Sequence, residues 1–168
     1  MVSQSAHKAQ APSSVVCFTL TVSDTRTPET DTSGKAMRDM LERAGHTVNG
    51  SLIVKDEPAQ VAEVVRAQAG SGTTRVVIVS GGTGLTSRDS TYEALAGLFD
   101  KRLDGFGELF RMLSYQDIGP AAMMSRATAG TIGRVAVFLL PGSEKAVRLA
   151  MEKLILPELG HIVQQLST

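Results

Sequence analysis

The sequence predicts an α/β domain with a doubly wound, mainly parallel sheet. Segments with strand and helix character alternate along most of the chain, the pattern of parallel strands covered by helices. Val76 to Val79 is an unbroken β-branched run of the kind buried on both faces of a sheet. Between that strand and a helix start lies Ser80-Gly81-Gly82-Thr83-Gly84-Leu85-Thr86-Ser87-Arg88-Asp89. A glycine-rich turn at that position is where an open α/β sheet holds a ligand.

Each element has its own signal. Residues 1–14 are polar and rich in Ala, Ser and Gln, which predicts a flexible extension ahead of one domain over 15–168. Strand one covers Val15 to Val22 and ends in Ser23-Asp24. A polar connection leads to a helix capped by Asp31 or Ser33, with Ala36, Met37, Met40 and Leu41 as its apolar stripe and Gly45 as its stop. Strand two runs from Thr47 to Val54. Lys55-Asp56-Glu57 then opens a helix with Pro58 in its first turn. After the glycine loop, Ser90-Thr91-Tyr92-Glu93 reads as a capping box, with Glu93 reaching back to the Ser90 amide. A short helix follows to Leu98. The next helix, Gly105 to Ile118, has an apolar stripe of Phe106, Leu109, Phe110 and Leu113, and Pro120 to Ser125 is a loop. Arg126 to Ile132 and Arg134 to Leu140, split by Gly133, form a tight hairpin, which permits one antiparallel strand. Pro141-Gly142-Ser143 repeats the sequence of strand end, sharp turn and helix cap. Pro157 starts a separate last helix.

Bulk properties exclude several classes. The chain has 168 residues, enough for one domain with a real core, and 17 basic residues balance 17 acidic ones. That balance gives no electrostatic footprint for nucleic acid or an anionic membrane. The single Cys17 rules out an internal disulfide and a cysteine metal cage. No apolar run is long enough to span a bilayer and no secretory signal is visible, so a cytoplasmic protein is expected.

The chemistry concentrates at strand ends. Ser23-Asp24, Lys55-Asp56-Glu57, Ser80-Gly81-Gly82 and Pro141-Gly142-Ser143 would meet beyond the carboxyl edge of the sheet. Glycine admits positive φ and lets backbone amides approach a phosphate. The loop is neither a Walker A motif nor a dinucleotide fingerprint, because its spacing fits neither. Asp89, just past the glycines, is a candidate for metal or substrate contact. Asp56 is either a helix cap or a second functional carboxylate. Arg88 is a partner of Asp89, a phosphate clamp, or both. Asp24 and Arg26 are expected to shape their loop, and Ser125 and Arg126 alone would be surface residues. Met123-Met124 suits core or subunit contact. His7, His46 and His161 are isolated and suit no metal site.

Taken together, Asp31-Thr32-Ser33-Gly34, Ser80 to Gly84 with Arg88-Asp89, Gly105-Phe106-Gly107-Glu108, Ser125-Arg126-Ala127, Ala129-Gly130 and Leu140-Pro141-Gly142-Ser143 resemble the MoaB/MogA family of molybdenum cofactor biosynthesis proteins. The G domain of gephyrin is related to that family. The match runs from Val15 to Leu166 and looks nearest to the MoaB type through Leu113-Ser114-Tyr115 and Ile118-Gly119. The resemblance implies a three-layer α/β/α domain that assembles as a trimer or a dimer of trimers. It implies adenylylation of molybdopterin with MgATP to give molybdopterin-AMP and pyrophosphate, with other proteins of the pathway as further partners. The alternative is a non-catalytic molybdopterin-binding or carrier protein. The family's two functional aspartates, serving catalysis and Mg²⁺, fall on Asp56 and Asp89. Its substrate and phosphate contacts fall on Ser80, Gly81, Gly82, Thr83, Gly84, Arg88, Ser125, Arg126, Pro141, Gly142 and Ser143.

Overall fold

A computed structural model describes residues 11–168. Strands β1 (Val16–Val22), β2 (Thr47–Val54), β3 (Val76–Ser80), β4 (Lys101–Arg102), β5 (Thr128–Ile132) and β6 (Val135–Leu140) form one sheet in the order β2-β1-β3-β6-β5-β4. Pairing is parallel from β2 through β6, and β5 pairs antiparallel with both β6 and β4. β5 alone is therefore reversed, as the Gly133 hairpin predicts. The two-residue β4 has no periodic signal, and it exists because Lys101 and Arg102 meet Thr131 and Gly130 of β5.

The helices are α1 (Thr32–Arg43), α2 (Pro58–Ala69), α3 (Thr91–Ala96), α4 (Asp104–Ile118), α5 (Glu144–Ala150) and α6 (Leu156–Ser167). Alternate strand residues face opposite layers. Cys17, Ile78, Phe138 and Leu140 pack with Met37, Leu41, Phe110, Val147 and Leu159 of α1, α4, α5 and α6. Phe18, Leu20, Val77, Val79 and Leu139 pack on the other face with Val61, Val65 and Leu95 of α2 and α3. These are the three layers of the expected fold. Burial pushes the Cys17 thiol up to about 12, so it sits in the core as an inert apolar group. Among the described residues, no helix is long and apolar enough to cross a membrane.

Several local expectations change. α5 and α6 are not separated: the π-helical turn Met151–Ile155 joins them, with the Leu156 amide donating to the Met151 carbonyl. Pro157 lacks an amide hydrogen, and widening the preceding turn accommodates its ring without breaking the rod. Pro120 to Met124 is not irregular loop but part of a 3-10 turn over Gly119–Met124. The expected N-terminal extension lies outside the described residues for positions 1–10. Pro12 rests on α6 at Gly160, where an added Cβ would stand 2.6 Å from the Pro12 carbonyl oxygen.

The two faces of α4 also differ from the expected stripe. Phe106 and Phe110 are core residues, and Phe106 meets Phe138 edge-on at 5.2 Å. Leu109 is instead exposed, as are Met112, Tyr115, Ile118, Met123 and Met124 on the same helix and the turn after it. Phe110→Ala should therefore cost about 3–5 kcal/mol of unfolding free energy, whereas Met112→Ala should stay within about 0.5 kcal/mol for the isolated chain. Urea titration of both variants checks this division of the helix.

Candidate functional site

β1, β3 and β6 run parallel and in register, with Thr21 opposite Ser80 and Ser80 opposite Leu140. Their carboxyl ends therefore release three loops side by side. Gly81 has φ of +103°, donates its amide to the Leu140 carbonyl at 3.0 Å, and lies so near β1 that a Cβ would stand 2.1 Å from the Val22 oxygen. Gly82 has φ of +67°, and a Cβ there would stand 1.9 Å from Thr91 Oγ1 and 2.8 Å from Asp56 Oδ2. Only glycine fits either position.

These loops enclose a cavity of about 270 Å³ lined by Thr21, Val22, Ser23, Arg26, Ser80, Gly81, Gly82, Thr83, Gly84, Asp89 and Gly142. The Ser80 hydroxyl is buried in its wall and has no hydrogen-bond partner. Such a group costs about 1–3 kcal/mol unless something outside the chain satisfies it. A second cavity of about 650 Å³ shares Ser23 and Arg26 and extends over β2 toward Arg38 and Lys55. A third, of about 470 Å³, lies beyond the loop between Tyr92, Glu108, Arg111, Ser125 and Arg126.

A network not evident in the sequence joins the first and last of the three loops. Asp31, buried at the N-cap of α1, accepts from Thr21 Oγ1 at 2.7 Å, from the Gly34 amide at 2.9 Å and from Arg26 at 3.4 Å. Arg26 also donates to Ser33 Oγ at 2.8 Å and to the Gly142 carbonyl at 3.1 Å, and Ser33 Oγ donates to that same carbonyl at 2.7 Å. Arg26 thus shapes its loop as expected and in doing so places a cation in the cavity wall. The capping motif Asp31-Thr32-Ser33-Gly34 signalled Asp31; nothing local signalled that Ser33 would reach a residue 109 positions away.

Asp56 is buried, yet it caps a different helix from the one expected. It accepts from the Ser90 hydroxyl at 2.9 Å, the Ser90 amide at 3.4 Å and Thr91 Oγ1 at 3.4 Å, all at the start of α3. The α2 cap is Glu57, which makes no side-chain capping bond. The expected capping box at Ser90 is consequently absent: its hydroxyl serves Asp56, and Glu93 pairs with Arg126. Asp89 closes the far end of the glycine loop, accepting from the Thr86 amide at 3.0 Å and the Thr86 hydroxyl at 2.6 Å. The Thr86 hydroxyl is the main reason its carboxyl is held below the usual range, with backbone donors and Arg126 adding to it. A Cβ on Gly84 would stand 2.5 Å from Asp89 Oδ2, so the two carboxylates press against glycines two positions apart.

Arg88 does not pair with Asp89. It bridges to Asp24 at 2.9 Å and Glu57 at 3.3 Å, in an exposed cluster where such pairs add little stability. Ser143 caps α5 through the Ala146 amide at 3.2 Å. Ser125 and Arg126 border the third cavity, and Arg126 donates to the Thr83 carbonyl at 3.0 Å and the Gly84 carbonyl at 2.6 Å. Of the expected site residues, Ser80 to Gly84, Asp89 and Gly142 line the central cavity; Asp56, Arg88, Ser125, Arg126, Pro141 and Ser143 do not. Among the described residues, no three His, Cys, Asp or Glu side chains group as a metal site.

Known proteins share this sequence pattern and fold. Residues 18–161 match the family described as "Probable molybdopterin binding domain". The chain is 55% identical over 161 residues to molybdenum cofactor biosynthesis protein B of Bacillus cereus, covering 95% of each. A crystal structure of a molybdenum cofactor biosynthesis protein B superimposes with a TM-score of 0.91 at 54% identity, covering 94% of this chain and 99% of that one. The tungsten cofactor synthesizing protein MoaB from Pyrococcus furiosus superimposes with a TM-score of 0.84 at 37% identity, covering 94% of this chain and 100% of that one. By sequence and by fold, this chain belongs to the molybdopterin-binding domain family of molybdenum cofactor biosynthesis proteins.

Proposed function

We propose that this chain adenylylates molybdopterin with MgATP. The observation that carries the reading is the glycine-walled cavity, with the unpartnered Ser80 hydroxyl in its wall and Asp56 and Asp89 at its loop. A phosphate oxygen satisfies a buried hydroxyl donor, and Arg26 in the same wall supplies compensating charge. In the reaction, an oxygen of the molybdopterin phosphate forms a bond to the α-phosphorus of ATP. The bond between the α-phosphorus and its bridging oxygen breaks, and its electron pair leaves with pyrophosphate. The attacking phosphate is already anionic near neutral pH, so no strong base is required. What the protein must do is align two polyanions and stabilise the charge gathering on pyrophosphate.

The carboxylates that lie against Gly82 and Gly84 are oxygen donors of the kind Mg²⁺ takes, an ion that keeps several waters and completes its shell with substrate phosphate oxygens. Asp56 and Asp89 would hold it, and when bound it supplies charge neutralisation to the phosphates. The larger cavity that shares Ser23 and Arg26 with the central one leaves room for the bulky end of a substrate.

Assembly belongs to the same proposal. The assembly is a trimer or a dimer of trimers, and the number of large apolar side chains exposed along one segment, Leu109, Met112, Tyr115, Ile118, Met123 and Met124, supports burial against other copies of the chain. Light scattering should give three or six times the mass of the chain. Met112→Lys should shift that mass downward, and a wild-type monomer at micromolar concentration removes the assembly from the proposal.

Mixed with molybdopterin and MgATP, the protein should release pyrophosphate and transfer label from the α-phosphate onto the pterin in equal amounts. Chelating the metal should stop the reaction. ADP as product, or label retained on nucleotide, refutes the adenylyl transfer.

The two aspartates should separate. Asp89→Asn should reduce turnover at least about a hundredfold while shifting stability by only about 0.5 kcal/mol, because its partners belong to a solvent-exposed loop. Asp56→Asn should lose turnover and about 1–2 kcal/mol of stability as well, because it also caps α3. Turnover assays paired with urea melts test both. Full activity in Asp56→Asn would leave that residue as a cap alone.

A further inference from the structure

Arg126 is the most heavily committed side chain near the site, and none of its commitments is to the cavity. Its Nε donates to the Thr83 carbonyl at 3.0 Å, and one terminal nitrogen donates to the Gly84 carbonyl at 2.6 Å and the Asp89 carbonyl at 3.4 Å. The other terminal nitrogen pairs with Glu93, and the guanidinium lies over the Tyr92 ring at 5.1 Å from its centroid. All three nitrogens are thus engaged. The segment bearing Arg126 is itself pinned, because Arg111 donates to the Ser125 carbonyl at 3.4 Å and the Ala127 carbonyl at 3.0 Å. Arg126 is absent from the lining of the glycine-walled cavity and touches the same loop from its opposite side.

A planar guanidinium can span several carbonyls in a fixed geometry, which a single ammonium cannot. Thr83, Gly84 and Asp89 bracket the segment that carries one of the two carboxylates. The geometry points to Arg126 as a positioning residue: it contacts no substrate and fixes the path of residues 83–89, thereby aiming Asp89. This inference rests on the adenylyl-transfer reading for its kinetic consequence only. The structural consequence stands without it.

Two arms test it. In the unliganded protein, Arg126→Lys keeps a cation facing Glu93 but loses the fork across the carbonyls. Amide hydrogen exchange across 83–91 should then quicken roughly tenfold or more, with β3 and α1 unchanged. Unchanged exchange in that segment overturns the proposal, and so does an equal increase throughout the sheet. In the assay, Arg126→Lys should lower kcat about a hundredfold while the KM for each substrate stays within about threefold. Arg126→Ala should regain part of its rate with added guanidinium ion, and less with ethylammonium. A raised KM with kcat intact makes Arg126 a substrate ligand and overturns the proposal. If the wild-type protein shows no adenylyl transfer, the functional reading fails, and the exchange arm alone decides the role of Arg126.

Discussion

The site depends on how closely three backbones approach one another at the carboxyl edge of the sheet. Gly81 leaves β3 where β1 and β6 are already hydrogen-bonded on either side, and its amide is bound to Leu140. A side chain there would overlap the Val22 carbonyl, and Gly142 lies opposite with its missing Cβ only 3.4 Å from the Gly81 Cα. The loops can converge around a cavity because Gly81 omits the atom that would overlap β1. Thr21, Ser80 and Arg26 then make its wall polar. Shape and polarity thus come from different residues, and both are set by strand register.

The two carboxylates beside the glycine loop are both held by the structure around them. Asp56 holds the first turn of α3 through Ser90 and Thr91, and the same contacts press it against Gly82. Asp89 ties its own loop through Thr86 and lies against Gly84. Each accepts from hydroxyl donors that fix its orientation, Asp56 from Ser90 and Asp89 from Thr86. Neither is paired with an arginine side chain. The cations nearby, Arg88 and Arg126, are committed elsewhere, to acidic side chains and to carbonyls.

What the sequence determined by itself is local or periodic. β-branched runs, a two-residue hairpin at Gly133, caps and glycine stops specify a doubly wound sheet with one reversed strand, because each follows from steric preferences within a few residues. The glycine loop was legible for the same reason, and the remaining motifs placed the chain in its family. Only the tertiary structure decided which side chains meet. The caps illustrate this: Asp56 sits beside Pro58 in sequence but serves α3, because parallel strands bring the ends of β2 and β3 to the same edge. Ser33 and Gly142 meet for the same reason, whereas Arg126 reaches the Thr83 carbonyl because the reversed β5 begins at that edge. Pro157 seemed to start a helix, yet the packing of α5 and α6 on one sheet face favours a widened turn over a break. Local sequence sets the conformations a segment can adopt. Which of its polar groups are satisfied, and by what, is settled by residues more than a hundred positions away, whose identities carry no trace of that pairing.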